Sequence, residues 1–470
     1  MPTYALPARE FALVFGVAAL VTFLSTGVIR LVAVRLKAVT PIRDRDVHSL
    51  PTPRMGGVAV YLGVAAAILI AGQLPELERA FTSSSQLIGV LVAGGLICAV
   101  GVLDDRFDLD AVTKLAGQVL AAALLVFFGV QWIVMWLPAG GEAGGTIVSL
   151  DQYQSTMLTV LITLVLTNAM NFIDGLDGLL AGVAAISGIG LFVFSAHVLE
   201  VSADDTAASQ PPLIAAALVG ACIGFLPHNF FPARIFMGDS GSMFIGLTMS
   251  AAIVGAGGTI SSSSYGPRST VAALAPLIVA LAVVFIPVLD FLMAVVRRTR
   301  EGRHPFSADK RHLHHRMLAI GHTQRQAVLV FYLWAAVVSG GAVSLAFVTW
   351  QSALWPVVGA TVLALLVTIR PRIRARRLRR SRSRGLPGRI AGGDGAGVDS
   401  SSGDGAAGVD SSSGDEAGVD RSSGDGAAAV GSSSGDVAPG ADPSGDRRDA
   451  PAPAGDPVTA PSAPVEKGTP

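Results

Sequence analysis

Long apolar runs separated by short charged connections fill the first 370 residues of the chain. A bilayer core near 30 Å is crossed by about 20 helical residues rising 1.5 Å each. Eleven runs approach that length: 10–36, 56–72, 86–103, 113–137, 155–171, 178–198, 211–231, 241–259, 270–297, 326–349 and 353–369. The pattern predicts an all-α integral membrane protein, a polytopic bundle of about 11 transmembrane helices. No small-residue cleavage site closes the first run, which therefore reads as a retained span.

The pattern changes after the last run. Residues 370–389 carry ten arginines, a polybasic juxtamembrane segment suited to anionic lipid headgroups. From 391 to 470 the composition turns to Gly, Ser, Ala, Asp and Pro, with Asp394, Asp404, Asp415, Asp425 and Asp436 recurring at intervals of ten or eleven residues. Such a segment buries too little apolar surface to offset its ordering entropy and is expected to be disordered. The predicted organisation is a membrane domain over 1–370, the basic segment over 371–390 and the tail over 391–470. The formal net charge of zero hides an asymmetry, because the tail holds fourteen acidic and four basic side chains. The remainder carries 20 acidic against 30 basic residues, which favours anionic substrates.

Lys and Arg gather in the connections 37–55 and 298–325 and in 370–389, whereas those near 73–85, 138–154, 199–210 and 350–352 hold at most one basic residue each. The positive-inside rule then places the N-terminus outside and the C-terminus in the cytoplasm of a multi-pass plasma-membrane protein. Alternation puts 37–55, 104–112, 172–177, 228–240 and 298–325 on one cytoplasmic face. Cys98 and Cys222 fall inside predicted spans and read as isolated buried thiols, not a disulfide framework.

The candidate chemistry lies in those five connections. Asp104 and Asp105 close the third run and Lys114 opens the fourth. Adjacent carboxylates at a helix end repel and need a cation, a proton or nearby bases. Asn171, Asp174 and Asp177 recur every third residue, so in a helical turn they would share a face, and Gly175 and Gly178 permit close backbone approach. The spacing lacks the regular Asp positions and distant Glu of a calcium loop. Asn229 and Phe236 flank a link that leads to Gly238-Asp239-Ser240-Gly241. That tetrapeptide resembles a serine-protease nucleophile segment, but no β-rich domain exists to carry a triad. An Asp followed by small residues at a span entrance instead suits a metal, with backbone N–H groups facing phosphate. Asp309-Lys310-Arg311-His312-Leu313-His314-His315-Arg316 interleaves bases with histidines, a composition for phosphate contact more than for zinc. Arg54 sits in Pro53-Arg54-Met55-Gly56-Gly57, a turn leading into the second run.

Taken together and in this order, these residues resemble the polyprenyl-phosphate N-acetylhexosamine-1-phosphate transferase family over roughly residues 10–370. The resemblance implies a bundle of ten or eleven helices with a cytoplasmic Mg²⁺ site, Mn²⁺ being a substitute, and a groove for a lipid carrier. It gives Asp239 as the principal metal ligand and Asp104 and Asp105 as the acidic pair, with Asp104 the base on the lipid phosphate. Lys114 contacts phosphate. Asn171, Asp174 and Asp177 match the family's Asn–Asp motif, and Asn229 and Phe236 match positions near the nucleoside. His312, His314 and His315 match its histidine motif, with Arg54 and Arg311 as further substrate contacts. The reaction implied is transfer of a sugar phosphate from a UDP-sugar to a polyprenyl phosphate with release of UMP. His312-Leu313-His314-His315-Arg316 is more similar to the GlcNAc-1-phosphate branch than to the muramoyl-pentapeptide branch. The implied partners are the UDP-sugar, the lipid carrier and the bilayer, with room for a homodimer and no nucleic acid. A secondary transporter is the rival from another class, but transporter sites lie near the midplane between internal repeats, whereas these acids gather at one face.

Overall fold

The computed structural model describes residues 6–39, 52–82, 84–137, 146–201, 206–258, 277–282, 284–302 and 313–384, with the backbone alone at 136–137, 147, 206–207, 294, 313–316 and 371–384. The acidic tail lies outside these residues.

The chain runs through α1 (Ala8–Arg35), α2 (Gly56–Ala71), a 3₁₀ turn (Pro75–Leu77), α3 (Arg79–Thr82), α4 (Gln86–Phe107), α5 (Ala111–Phe127), β1 (Val134–Leu137) and β2 (Thr146–Ser149). It continues through α6 (Gln152–Ile173), α7 (Leu179–Val201), a 3₁₀ turn (Thr206–Ser209), α8 (Gln210–Asn229) and α9 (Gly238–Gly258). The last elements are α10 (Phe285–Arg300), α11 (Leu313–Ile320), α12 (Gln324–Phe347) and α13 (Trp350–Arg384). Among the described residues eight helices are long and apolar enough to cross a membrane, or nine if α2 and the segment Pro75–Thr82, bent by 97°, form one broken span.

Eleven spans are not counted among the described residues, for local reasons. The run predicted over 113–137 stops being helical at Phe127, and its last residues pair as β1 with β2, Val134 opposite Ser149. The 17 residues of α5 rise about 25 Å, short of a full bilayer core. The run predicted over 270–297 is described as a helical piece over 277–282 and then α10. Pro287, in the first turn of α10, has no N–H to offer a preceding turn, which suits a helix start and not a helix interior.

Bundle layers follow from burial. In α9, 94% of the apolar window is covered by protein, against 78% in α8, 72% in α7, 22% in α1 and 11% in the membrane part of α13. Therefore α9 is the axial helix and α1 and α13 are peripheral, their outward Leu20, Leu24, Leu31, Leu363 and Leu366 suited to lipid. Between membrane helices the contact depends on close packing, not on hydrophobic drive. Gly246 shows this: a Cβ there would stand 2.5 Å from Thr167 Cα, so α6 and α9 approach backbone to backbone. At one end of the bundle the hairpin is pinned by Ile133 N–H donating to Gly258 O (2.8 Å) and Trp132 N–H to Thr159 Oγ1 (2.9 Å). The other end gathers the polar connections.

Candidate active site

The axial helix begins three residues earlier than its apolar run, at Gly238, and this puts Asp239 in its first turn. A carboxylate there is favoured by the positive end of the helix dipole. Asp104 and Asp105 lie on the last turn of α4, where the dipole disfavours negative charge, so each needs its own compensation. Asp105 finds it in α9: Oδ1 accepts the N–H of Asp239 at 3.0 Å and Oδ2 that of Ser240 at 3.2 Å. The fit depends on Gly238 at φ +71°, where a Cβ would stand 2.4 Å from Asp105 Oδ2. Asp104 finds it in Lys114, whose ammonium donates to Asp104 Oδ2 at 2.9 Å, and in the N–H of Leu109 on Oδ1 at 2.9 Å.

Lys114 is delivered by a capped helix start. The Asp110 carboxylate accepts the N–H groups of Val112 and Thr113 at 3.0 Å each and fixes where α5 begins. The Thr113 hydroxyl and N–H hold that carboxyl below its ordinary range. One turn in, the Lys114 ammonium also donates to Asp239 Oδ2, so a single cation bridges two carboxylates from different helices. Asn171, near the end of α6, donates through Nδ2 to Asp239 Oδ1 and to Ser242 Oγ, both at 2.9 Å. Asp239 is the most open member of the bridge, its side chain 27% exposed against 20% for Lys114 and 13% for Asp104.

Around this cluster the structure separates residues that the three-residue spacing would align. The helix α6 ends at Ile173, so Asp174 caps it and Asp177 lies in the following turn. Asn171 and Asp177 consequently serve different partners: Asp177 Oδ2 accepts the N–H of Ala233 at 2.9 Å and is buried. Asp174 keeps some accessible surface in the cleft, but burial pushes its carboxyl up to about 7, with the charges of Asp105 and Asp177 adding to the rise and Arg54 opposing it. Arg54 is therefore a true neighbour of the acidic cluster. Asn229 is buried and wholly committed to backbone, Oδ1 accepting Gly178 N–H and Nδ2 donating to Ile235 O, each at 3.0 Å. Its role is to hold the 175–178 and 230–235 turns together. Phe236 uses its backbone likewise, its N–H on Pro53 O (2.8 Å) and its carbonyl accepting Gly56 N–H (3.0 Å), with its ring partly exposed at the mouth.

Arg311 and His312 lie outside the described residues. His314 and His315 fall on the backbone of α11, and their side chains are likewise outside what is described. Several contributors carry no signal in the motifs. Ser242 supports Asn171, Arg325 donates to Phe231 O at 3.3 Å, and Arg298 on α10 lies over the Phe172 ring at 5.2 Å. Arg298 is 1% exposed although its sequence neighbours mark it only as one charge in a basic connection. A basic residue eight positions after Asp290 on an amphipathic helix was the available signal.

Among the described residues no three His, Cys, Asp or Glu side chains converge as a metal cage. The donor set is nevertheless of the kind a hard divalent cation takes, two carboxylates from separate helices already sharing one positive charge.

Comparison with known proteins follows the same stretch of chain. The model of glycosyl transferase family 4 matches residues 87–257, from the start of α4 to the end of α9. Over 368 residues the chain is 51% identical to the decaprenyl-phosphate N-acetylglucosaminephosphotransferase of Mycolicibacterium smegmatis, covering 78% of this chain and 90% of the relative. Over 343 residues it is 33% identical to a probable undecaprenyl-phosphate N-acetylglucosaminyl 1-phosphate transferase of Bacillus subtilis, covering 72% and 86%. Identity to the phospho-N-acetylmuramoyl-pentapeptide-transferase of Desulforudis audaxviator is 32% over 335 residues, covering 67% and 92%.

Proposed function

The chain belongs to the polyprenyl-phosphate N-acetylglucosamine-1-phosphate transferases of glycosyl transferase family 4, and on that footing we propose how its residues carry the sugar phosphate from UDP-GlcNAc to the lipid. The protein is a multi-pass membrane enzyme that transfers N-acetylglucosamine 1-phosphate to a polyprenyl phosphate. An oxygen of the lipid phosphate attacks the sugar-bearing phosphorus of the donor. The bond from that phosphorus to the UMP oxygen breaks, and UMP leaves with the electron pair. The attacking phosphate is already anionic, so alignment and charge neutralisation, more than proton removal, are what the protein must provide.

The observation that carries this reading is the Lys114 ammonium held between Asp104 and Asp239 at the mouth of the bundle. Two phosphates meeting in one cleft need cations there, and Lys114 can turn from a carboxylate to a phosphate oxygen without leaving the site. Asn171 and Ser242 hold Asp239 in place, and Asp105 holds the backbone beneath it. The partly exposed Phe236 ring would stack on uracil, the residue's backbone N–H held by the carbonyl of Pro53 beside Arg54. Asp239 and Asp104 are the residues that would hold Mg²⁺, or Mn²⁺ in its place. Bound there, the ion supplies neutralisation of the diphosphate as UMP departs. The basic connections support a cytoplasmic site and an external N-terminus.

The test is the full chain in liposomes containing polyprenyl phosphate, supplied with labelled UDP-GlcNAc and Mg²⁺. One UMP per labelled lipid-diphosphate sugar is expected. Hydrolysis to UMP without lipid product, or transfer only from UDP-N-acetylmuramoyl-pentapeptide, would overturn the reading.

A further inference from the structure

One helical turn below the charged cluster lies a second set of polar contacts that the transfer chemistry does not use. Gln118 follows Lys114 by four residues on α5, Asn168 precedes Asn171 by three on α6, and Met243 follows Asp239 by four on α9. Each shares a helix face with the residue at the mouth. Asn168 Nδ2 donates to Gln118 Oε1 and to the Leu164 carbonyl, both at 2.8 Å, and Gln118 Nε2 points at Met243 Sδ at 3.4 Å. Gln118 is 3% exposed.

An amide at that depth is costly without partners, and an apolar side chain would fill the space at least as well, so packing alone does not account for the pair. The helix that carries Gln118 is the one in need of a register mark. The α5 helix is short, and Val112, Leu115, Val119, Leu120 and Phe127 on it are 41–80% exposed, so few packed side chains fix its height or rotation. A slip of one residue would move Lys114 by about 1.5 Å and turn it by about 100°. Lys114 would then no longer reach Asp104 and Asp239 together.

We propose that Gln118 and Asn168 are positioning residues, an amide rung that sets the height and rotation of α5 and thereby holds Lys114 between the two carboxylates. The kinetic consequence of the rung rests on the transferase reading, while its structural consequence does not.

The test uses the full-length protein in detergent with Gln118→Met, Asn168→Leu, the double variant, and the exchange Gln118→Asn with Asn168→Gln. Lysine acylation by a water-soluble succinimidyl ester, read by mass spectrometry, reports how tightly Lys114 is held, with the exposed Lys37 as internal reference. The apolar variants should label Lys114 severalfold faster with Lys37 unchanged, and the exchange should restore slow labelling. In the transfer assay kcat should fall on the order of 10- to 100-fold with little change in either KM, equally in single and double variants, because each removes the same rung. Unchanged Lys114 labelling overturns the rung whatever the turnover. If the apolar variants do not fold, an exchange variant that folds but labels Lys114 fast overturns it as well. A wild-type protein without transfer sinks the function reading alone and leaves the labelling result to decide the rung.

Discussion

Asp105 accepts the main-chain N–H of Asp239 at 3.0 Å, so one carboxylate of the acidic pair holds the backbone of the residue whose own carboxylate faces the cleft. The paired aspartates thus divide their work. Asp105 spends both oxygens on the start of α9, and Asp104 turns to Lys114. This division gives a contrast between two conservative substitutions. Asp105→Asn replaces one acceptor by an amide donor facing an N–H, and should lower both thermal stability, by about 1–3 kcal/mol, and transfer. Asp104→Asn should lower transfer while leaving the unfolding midpoint nearly unchanged. Paired thermal-unfolding and activity measurements check it, and a similar loss of stability in both variants would refute the division.

Asp239→Asn keeps the size of the side chain but removes the charge that Lys114 and Asn171 converge on. The expected loss of kcat is on the order of 10²–10³ or more, not recovered at any Mg²⁺ concentration. The variant should still insert and unfold cooperatively. Turnover near the wild-type level would remove Asp239 from the centre of the site.

Asp174 gives a pH signature. Its carboxyl is raised from 3.8 to about 7 because burial disfavours the charge. The folded state therefore binds more protons than the unfolded state between these values, so the contribution of Asp174 is fully present below about pH 4 and is lost as pH rises through about 7. Asp174→Asn cannot titrate. Its unfolding midpoint should gain on the wild type from about pH 4 to about pH 7 and level off above, and a constant difference across that range would contradict the assignment.

Much of the site was legible because ionisable residues at the ends of apolar runs are rare, and Asp104, Asp105, Lys114, Asn171 and Asp239 do meet from two helix ends and two helix starts. What the spacing could not give was which end of each turn a side chain serves. Asn171 and Asp177 look equivalent at intervals of three, but α6 stops between them and sends Asp177 to Ala233. Hydropathy also failed to see that the run from 113 ends in a hairpin, since Val134, Met135 and Trp136 are as apolar as a span and differ only in pairing with β2. Gln118 carries no charge and no sequence pattern of its own, Asn168 is one uncharged step of three before Asn171, and only the crossing of α5 and α6 makes them partners.

The last prediction concerns how α9 is seated. Gly57, in the first turn of α2, packs so closely on the start of α9 that a Cβ would stand 1.9 Å from Gly241 N and 2.3 Å from Ser240 C, both backbone atoms that cannot swing aside. Backbone bonds from Gly56 N–H to Phe236 O and from Gly57 N–H to Met237 O, at 3.0 and 2.9 Å, fix the same contact. In a helix interior Gly→Ala ordinarily stabilises by roughly 0.5–1 kcal/mol. At Gly27, within α1, a Cβ would meet no atom within 4 Å, so this position should behave in that ordinary way. Gly57→Ala should do the opposite, pushing α2 from α9 and displacing Asp239, two residues before Gly241. The expected result is an unchanged or slightly raised unfolding midpoint with full transfer for Gly27→Ala. Gly57→Ala should show a lowered midpoint with transfer reduced at least about tenfold, the order of loss that displacement of a catalytic group brings. Equal behaviour of the two variants would mean that the α2–α9 contact does not seat the site.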